Sequence, residues 1–402
     1  MSSSGIRVVL RAPQVLWVLL AAQVGRLPSA SGPLALLLFA RESFSLAAAG
    51  LLVAAYTAGV AVGTPLLARA VDRWRQPPVL GISAVMSGVG FGFVATGAFG
   101  ATGAAVGAVV AGLGAPPLEA CLRSLWPDLL PPAAVPAAYA LDVAVQEVIF
   151  VVGPLTTLLA VALGGPVAGL VVAALLQLAG TAAFLRAPAV RAWRGVPAAR
   201  HWAGPLRVPR FAALLAGVVG AGMAVGGITV AITAYAEEAG DRHLAGWLLA
   251  VQATGALIGG LLYTRARPAG AWRLPLLTAG LTLGYVPLLL TPRPTLMAVL
   301  LAVSGLALPP TLTAIFLLVD QLAAPGTVAE AFAWVATAFT IGSAAGSAVT
   351  GLVVANSVRH GLALAPVAAL LSTIVMVAVA RNTNRPNVAT ADHHDPHLRP
   401  VS

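Results

Sequence analysis

Apolar residues run along this chain in long unbroken stretches and do not alternate with polar ones. Twelve such stretches lie near residues 15–39, 45–68, 79–100, 103–126, 138–163, 166–186, 211–235, 244–264, 274–292, 295–319, 328–352 and 362–380. A bilayer core about 30 Å thick needs roughly 20 apolar residues per spanning helix, so each stretch predicts one transmembrane α-helix. The period of two expected of barrel strands is missing. Ala, Leu and Gly dominate, as they do where small residues let spanning helices approach. The predicted fold class is all-α and integral to the membrane, with twelve transmembrane helices.

Composition supports that reading. The 402 residues are 59% apolar and 9% charged, with a mean hydropathy of +0.92, which no soluble domain of this size could carry without aggregating. All 23 basic residues are Arg. With the N-terminus inside, 18 of them fall at or near cytoplasmic segments: Arg7, Arg11, Arg69, Arg73, Arg75, Arg123, six from Arg186 to Arg210, Arg265, Arg267, Arg273, Arg381, Arg385 and Arg399. Arg41, Arg242, Arg293 and Arg359 fall outside, and Arg26 lies within the first stretch. This asymmetry follows the positive-inside rule and predicts a multi-pass protein of the cell membrane with both termini cytoplasmic. The net charge of +10 comes from these loops, so a nucleic-acid partner is not expected.

Several function classes are disfavoured by what the chain lacks. Without Lys there is no phosphate-loop lysine and no Schiff-base lysine, so neither ATP hydrolysis nor a lysine-attached cofactor is expected. Cys121 is the single cysteine and sits in an apolar run, which reads as core packing. The stretch from Arg11 to Ala30 imitates a signal peptide, but eleven further apolar stretches make it a first spanning helix that is not cleaved. No HExxH or GxSxG string is present, and His201, His243 and His360 fall in loops, which argues against a membrane-embedded enzyme. A receptor or sensor would carry a soluble signalling domain, and no polar segment here exceeds about two dozen residues.

Internal repetition gives the architecture. A shift of 196 residues places "GLLVAAYTAGVAVGTPLLAR" (50–69) on "GWLLAVQATGALIGGLLYTR" (246–265) without a gap, matching Gly50, Gly59, Gly63 and Arg69 to Gly246, Gly255, Gly259 and Arg265. A shift of 193 places Gly112, Pro116, Pro117 and Gly153 on Gly305, Pro309, Pro310 and Gly346. Two matches at nearly one offset, close to half the chain, predict two pseudo-symmetric six-helix bundles with a binding site between them. The expected organisation is a cytoplasmic tail (1–14), an N-terminal bundle (15–186), a basic cytoplasmic loop (187–210), a C-terminal bundle (211–380) and a disordered cytoplasmic tail (381–402). His393, His394 and His397 lie in that last tail, where no metal site is expected.

Two six-helix halves, a basic central loop, and "ARAVDRWRQPPVL" after the second stretch resemble the major facilitator superfamily over essentially the whole chain. That family's cytoplasmic motif reads roughly G-x-L-a-D-R-x-G-R-R. Asp72 and Arg73 match its acidic and basic core, whereas Ala68, Arg75, Gln76 and Pro77 depart from it. The resemblance implies that Asp72 and Arg73 latch the cytoplasmic ends of the bundles, with Asp128 as a possible partner; a solvated loop pair worth under about 1 kcal/mol is the alternative. Gly153 and Pro154 resemble the Gly-Pro motif of the drug/proton antiporter branch, implied to shape a bend that favours export. Here Leu155-Thr156-Thr157 follows where that motif has small residues, and an ordinary proline kink is the other reading.

The fifth stretch, "ALDVAVQEVIFVVGPL" (140–155), carries two carboxylates. At 100° per residue Asp142, Gln146 and Gly153 share one face, and Glu147 is about 140° away on the face of Pro154. Depths counted at about 1.5 Å per residue place Asp142 with Arg123, and Arg26 with Glu147 or Glu119. Three carboxylates (Glu119, Asp142, Glu147) then face two guanidinium groups (Arg26, Arg123). A surplus carboxylate in a low-dielectric cavity takes up a proton until the cavity opens, which describes a proton-coupling site; a fixed ion-pair network orienting the helices is the alternative. Gln146, Gln252, Tyr235, Phe316, Trp334 and Phe339 are candidates for the substrate cavity, which suits an amphipathic small molecule. Glu330, at the start of the eleventh stretch, complements a helix dipole, while Trp202 and Arg210 read as interfacial anchors.

The expected function is secondary active transport by alternating access, most simply proton-coupled efflux, with proton-coupled uptake using the same parts. No cofactor or metal is expected, the proton gradient being the energy source. The expected partners are the lipid bilayer and a small-molecule substrate, with the protein working as a monomer.

Overall fold

In the computed structural model, residues 4–195, 203–241, 243–264 and 272–383 are described. Arg200, His201, Trp202, Arg242, Arg265, Arg267 and the tail with Arg385, His393, His394, His397 and Arg399 lie outside them. The described chain is helical throughout. A short α1 (Ser4–Arg11) precedes α2 (Val15–Arg26) and α3 (Pro28–Ser43), which together form the first span. Then follow α4 (Leu46–Arg73), α5 (Gln76–Ala95), α6 (Gly100–Leu113), α7 (Leu118–Leu129), α8 (Val135–Leu185) and the short α9 (Pro188–Ala192). The second half holds α10 (Pro209–Glu238), α11 (His243–Tyr263), α12 (Arg273–Tyr285), α13 (Pro294–Gly305), α14 (Leu308–Leu322), α15 (Val328–Val354) and α16 (Val358–Thr383).

Twelve crossings follow from these helices. Among the described residues ten helical segments are long and apolar enough to cross a membrane, and eleven when the bent first one is included. The 51 residues of α8 would measure about 76 Å, more than twice a bilayer core, and non-helical backbone at Gly164 and Gly165 breaks α8 into two. The fifth and sixth spans are its two arms. Proline sets the other breaks. Pro28 has no N–H for the Val24 carbonyl, which accepts instead from Leu27 at 3.3 Å. Pro116-Pro117 separates α6 from α7, and Leu308, Pro309 and Pro310 open α14 after α13, so the fourth and tenth spans are broken at matching places.

The sequence repeat is realised as backbone packing. A Cβ on Gly59 would strike the Val109 carbonyl and one on Gly255 the Ala302 carbonyl; Gly63 and Gly259 meet Leu113 and Leu306 in the same way. Reciprocally, Gly112 and Gly305 lie against the carbonyls of Tyr56 and Gln252. Every partner pair is offset by 193 or 196 residues, so each half fastens α4 to α6 and α11 to α13 through the same glycines. In the second half a Cβ on Gly346 would strike the Met223 carbonyl, and in the first half one on Gly153 would lie 3.3 Å from that of Leu27.

Three cores show how the halves meet. One, with Tyr56, Phe91 and Leu170, lies wholly in the first half, and one, with Ile232, Tyr285 and Leu362, wholly in the second. Both occupy the end opposite the arginine-rich loops. The third spans the halves at the arginine-rich end and includes Trp126, Tyr139, Phe184, Phe211, Phe316 and Phe332. On α8 the face of Ala144 packs against Gly260 of α11. Further along that face, Val148, Val151 and Leu155 are 43%, 48% and 58% exposed. The two halves are therefore sealed at the arginine-rich end and splayed at the other.

Segments expected to be tails or a loop contain helix. α1 occupies part of the 1–14 tail, α9 and a 3-10 turn (Gly204–Arg207) occupy parts of the 187–210 loop, and α16 runs past residue 380 to Thr383. Short amphipathic pieces escape a search for long apolar runs.

Candidate functional site

Two constellations lie at the sealed end. The first sits between α2, α7 and the first arm of α8. The break at Pro116-Pro117 starts α7 afresh, placing Glu119 in its first turn and Arg123 one turn later. Asp142 is fully buried and bridges both guanidinium groups: Arg26 Nη1 lies 2.9 Å from Oδ1, and Arg123 Nε donates to Oδ2 at 2.8 Å. Gln23 Nε2 adds a third bond at 3.3 Å. Glu119 pairs with Arg123 and, at 3.1 Å, with Arg26. Gln146 Oε1 accepts from Arg26 at 2.7 Å and from Arg123 at 3.3 Å. Of the pairings expected from depth, Asp142–Arg123 is present, and of the two partners expected for Arg26, Glu119 is present and Glu147 is not; the Arg26–Asp142 pair was not expected.

Glu147 is not part of this network. It lies about 140° around the helix from Asp142, half-buried on the side of Ala144, where α8 meets α11 and α14. Among the described residues it has no ion pair or hydrogen bond. The expected competition between Glu147 and Glu119 for Arg26 does not occur, because α2 packs on the Asp142–Gln146 face. Two carboxylates therefore balance two guanidinium groups, and Glu147 stands outside the balance.

The network rests on an aromatic floor that crosses between the halves. The Arg123 guanidinium lies 3.6 Å over the Phe316 ring of α14, a cation–π contact in a dry site. Tyr139 of α8 contacts Phe316 and Phe332 of α15 with ring centroids 6.2 and 5.8 Å apart.

The second constellation joins α4 to α15. Asp72 stands at the last turn of α4 and receives the free N–H groups at the start of α15: Ala329 N donates to Oδ1 at 3.1 Å and Glu330 N to Oδ2 at 2.8 Å. A carboxylate at a helix N-terminus satisfies unpaired donors and complements the dipole. One turn earlier Arg69 binds Glu330 bidentately, Nε to Oε2 at 3.0 Å and Nη2 to Oε1 at 2.8 Å. Trp334 Nε1 donates to Glu330 Oε1 at 3.3 Å. Gly204, with φ +52°, packs on this pair from the central loop, where a Cβ would lie 2.6 Å from Glu330 Oε1.

Several expected assignments change. Asp128, expected as a partner of Asp72 and Arg73, is exposed near the end of α7 with no ion pair among the described residues, and Asp72 is instead met by the α15 amides. Arg73 lies 5.6 Å over the Trp74 ring. Glu330 is more than a dipole complement, since it is buried and ion-paired with Arg69. Among the expected cavity residues, Trp334 belongs to the α4–α15 contact, Phe316 to the floor and Gln146 to the charge network. Tyr235 is buried in the far core of the second half, its hydroxyl donating to the Pro292 carbonyl. Phe339 packs half-buried on the shared core. Gln252 keeps a half-exposed side chain with no partner among the described residues. Arg210 stands half-buried in the first turn of α10. Gly153-Pro154 does not break α8; a Cβ on Gly153 would lie 3.3 Å from Ser31 N of α3, and Thr157 Oγ1 donates to the Ser31 carbonyl at 3.2 Å.

Comparison with known proteins gives a consistent result. The family described as Major Facilitator Superfamily matches residues 28–282. A bacterial homologue of the iron transporter ferroportin, crystallised in an outward-facing state, has a similar structure over 91% of this chain and 99% of its own, with a TM-score of 0.68 at 15% identity. The human organic anion transporter MFSD10 (TETRAN) is similar over 93% of this chain and 99% of its own, with a TM-score of 0.62 at 16% identity. No curated protein matches by sequence.

Proposed function

The chain belongs to the Major Facilitator Superfamily and is a secondary transporter of the alternating-access type; from that premise we propose that it exports a small amphipathic molecule in exchange for protons, and that Glu147 carries the proton. The observation behind this reading is the partition of charge on α8. The Arg26–Arg123–Glu119–Asp142 network is neutral and fully bonded, whereas Glu147, near the middle of the fifth span, has no ion pair or hydrogen bond among the described residues. An unpaired carboxylate inside a membrane costs several kcal/mol if charged, so it holds a proton when sealed away and loses it on meeting water. Its side of α8 faces α11 and α14, the surface along which the halves must part.

The arginine-rich end is then cytoplasmic and the latch is the inner gate, making this conformation outward-facing. Export is favoured by the likeness of Gly153-Pro154 to the antiporter motif, and the amphipathic substrate by the exposed apolar face of α8 (Val148, Val151, Leu155) beside Glu147. Glu147→Gln mimics the protonated state. In proteoliposomes this variant should exchange substrate passively but lose accumulation driven by a pH gradient. Retained pH-driven accumulation would move the proton elsewhere, and uptake coupled to proton entry would reverse the direction.

A further inference from the structure

We propose that α1 is a membrane-surface strap: Arg7 and Arg11 bind anionic phospholipid headgroups, while its opposite face holds the ends of α8 and α11 together beside the closed gate. α1 is bent 83° from the first span, so it lies across the bundle axis. Its faces differ sharply. Val9 is fully buried in the core shared by the two halves, with Gly5, Ile6 and Ala12 partly buried around it. Arg7 and Arg11, four residues apart, are exposed on the opposite side, and Val8 and Leu10 on the flanks are 40% and 45% exposed. Apolar flanks with a basic face are the mark of a helix seated at a bilayer surface.

Gly5 reaches both halves. A Cβ there would lie 3.4 Å from Cβ of Ala137 in α8 and 3.7 Å from the Thr264 carbonyl just after α11. These two helices close on one another at Ala144 and Gly260, and they must separate if the arginine-rich end is to open. An α1 held at the membrane surface therefore resists that separation.

The chemistry of the occupant follows from charge. The first 41 residues contain four Arg and no acidic residue, and none occurs between Glu147 and Glu237. Gln14 accepts the Ala189 N–H at 3.0 Å, tying the turn after α1 to α9. This brings the exposed Arg186, Arg191 and Arg194 alongside, none of them paired to a carboxylate among the described residues. Trp17, 50% exposed with its Nε1 bonded to the Ala183 carbonyl, marks the same level as interfacial. Cations without carboxylates, beside apolar flanks and an interfacial Trp, fit lipid phosphate.

This inference rests on alternating access and on the orientation given above, but not on the proton step. Full-length protein would carry spin labels at Ala133→Cys and Gln321→Cys, exposed positions on the two halves at the sealed end, with Cys121→Ala in the background. Distances would be compared in phosphatidylcholine nanodiscs with and without phosphatidylglycerol. We expect phosphatidylglycerol to raise the short-distance population several-fold. The Arg7→Gln/Arg11→Gln variant should lose that response while melting as the parent does, and Arg41→Gln, a change at the opposite face, should keep it. An unchanged response in the double variant, no response in the parent, or the same shift from soluble glycerol phosphate would overturn the proposal. No readout uses Glu147 or a pH gradient, so failure here leaves the proton assignment standing.

Discussion

Asp72 offers the most direct test of the inner gate. Its two oxygens accept the Ala329 and Glu330 amides at 3.1 and 2.8 Å, and its side chain is nearly inaccessible to solvent. In Asp72→Asn one oxygen remains, the other position becomes an amide donor, and one helix-terminal N–H loses its acceptor. A hydrogen bond to a charged group contributes about 1.5–3 kcal/mol, and a charge at a partly buried helix terminus up to about 2 kcal/mol. Part of this returns when water reaches the freed amide, leaving a net loss of about 2 kcal/mol. These contacts exist only while α4 and α15 are together, so the loss falls on the closed state and favours the open one by about 30-fold. Distance measurements between labels at Ala133→Cys and Gln321→Cys would show the long-distance population rising accordingly, with folding nearly intact. Unchanged populations together with a lowered melting temperature would refute the argument, because Asp72 would then support the fold in every state.

Two further outcomes follow. Asp142→Asn leaves two buried guanidinium groups facing one carboxylate, and breaking a buried pair costs about 3–5 kcal/mol, so this variant should melt lower and fold in poor yield; melting like the parent would mean that water already compensates the network. Reporter fusions after Arg75, Arg200 and Ser402 should register cytoplasm and those near Glu42 and Asp241 the outside, and an outside signal at Arg200 would invert the orientation assumed for the gate.

Long periodic features were legible in the sequence. Spans follow from apolar length alone, and the glycine repeat follows because a close backbone approach admits no Cβ, so the two halves retain glycine at the same contacts. Rise per residue in a spanning helix was enough to bring Asp142 to Arg123 and Arg26 near Glu119, but it set Arg26 and Asp142 at different levels and so missed their contact at 2.9 Å. Azimuth between helices is different. That α2 packs on the Asp142 face, leaving Glu147 outside, depends on how neighbouring helices rotate, and one sequence does not encode that separately. The Arg69–Glu330 pair links positions 261 residues apart and has no local signature. Arg69 did recur as Arg265 in the repeat, which was a signal that the position mattered. Tyr235 and Trp334 were expected in the cavity on residue type alone, and their hydroxyl and indole donors are satisfied elsewhere.

The arrangement on α8 also bears on how coupling could work at all. A proton-carrying group drives a conformational cycle only if its surroundings differ between the two states. Asp142 is held from one side by Arg26, Arg123 and Gln23, all within the first half, so a rigid movement of that half leaves its bonds unchanged. Glu147 instead lies on the side of α8 that meets α11 and α14, so on the proposed reading its neighbours would change as the halves part. With the halves joined at the aromatic floor and parted at the far end, that carboxylate sits just beyond the Ala144–Gly260 contact, at the boundary between sealed and open cleft. On the proposed reading, moving the seal across it would switch its access from one side of the membrane to the other, and the ion pairs behind it, all within the first half, would persist even as Arg123 left the Phe316 ring. On this argument the ion pairs fix α2, α7 and α8 as one body, and the unpaired Glu147 answers to the motion of that body.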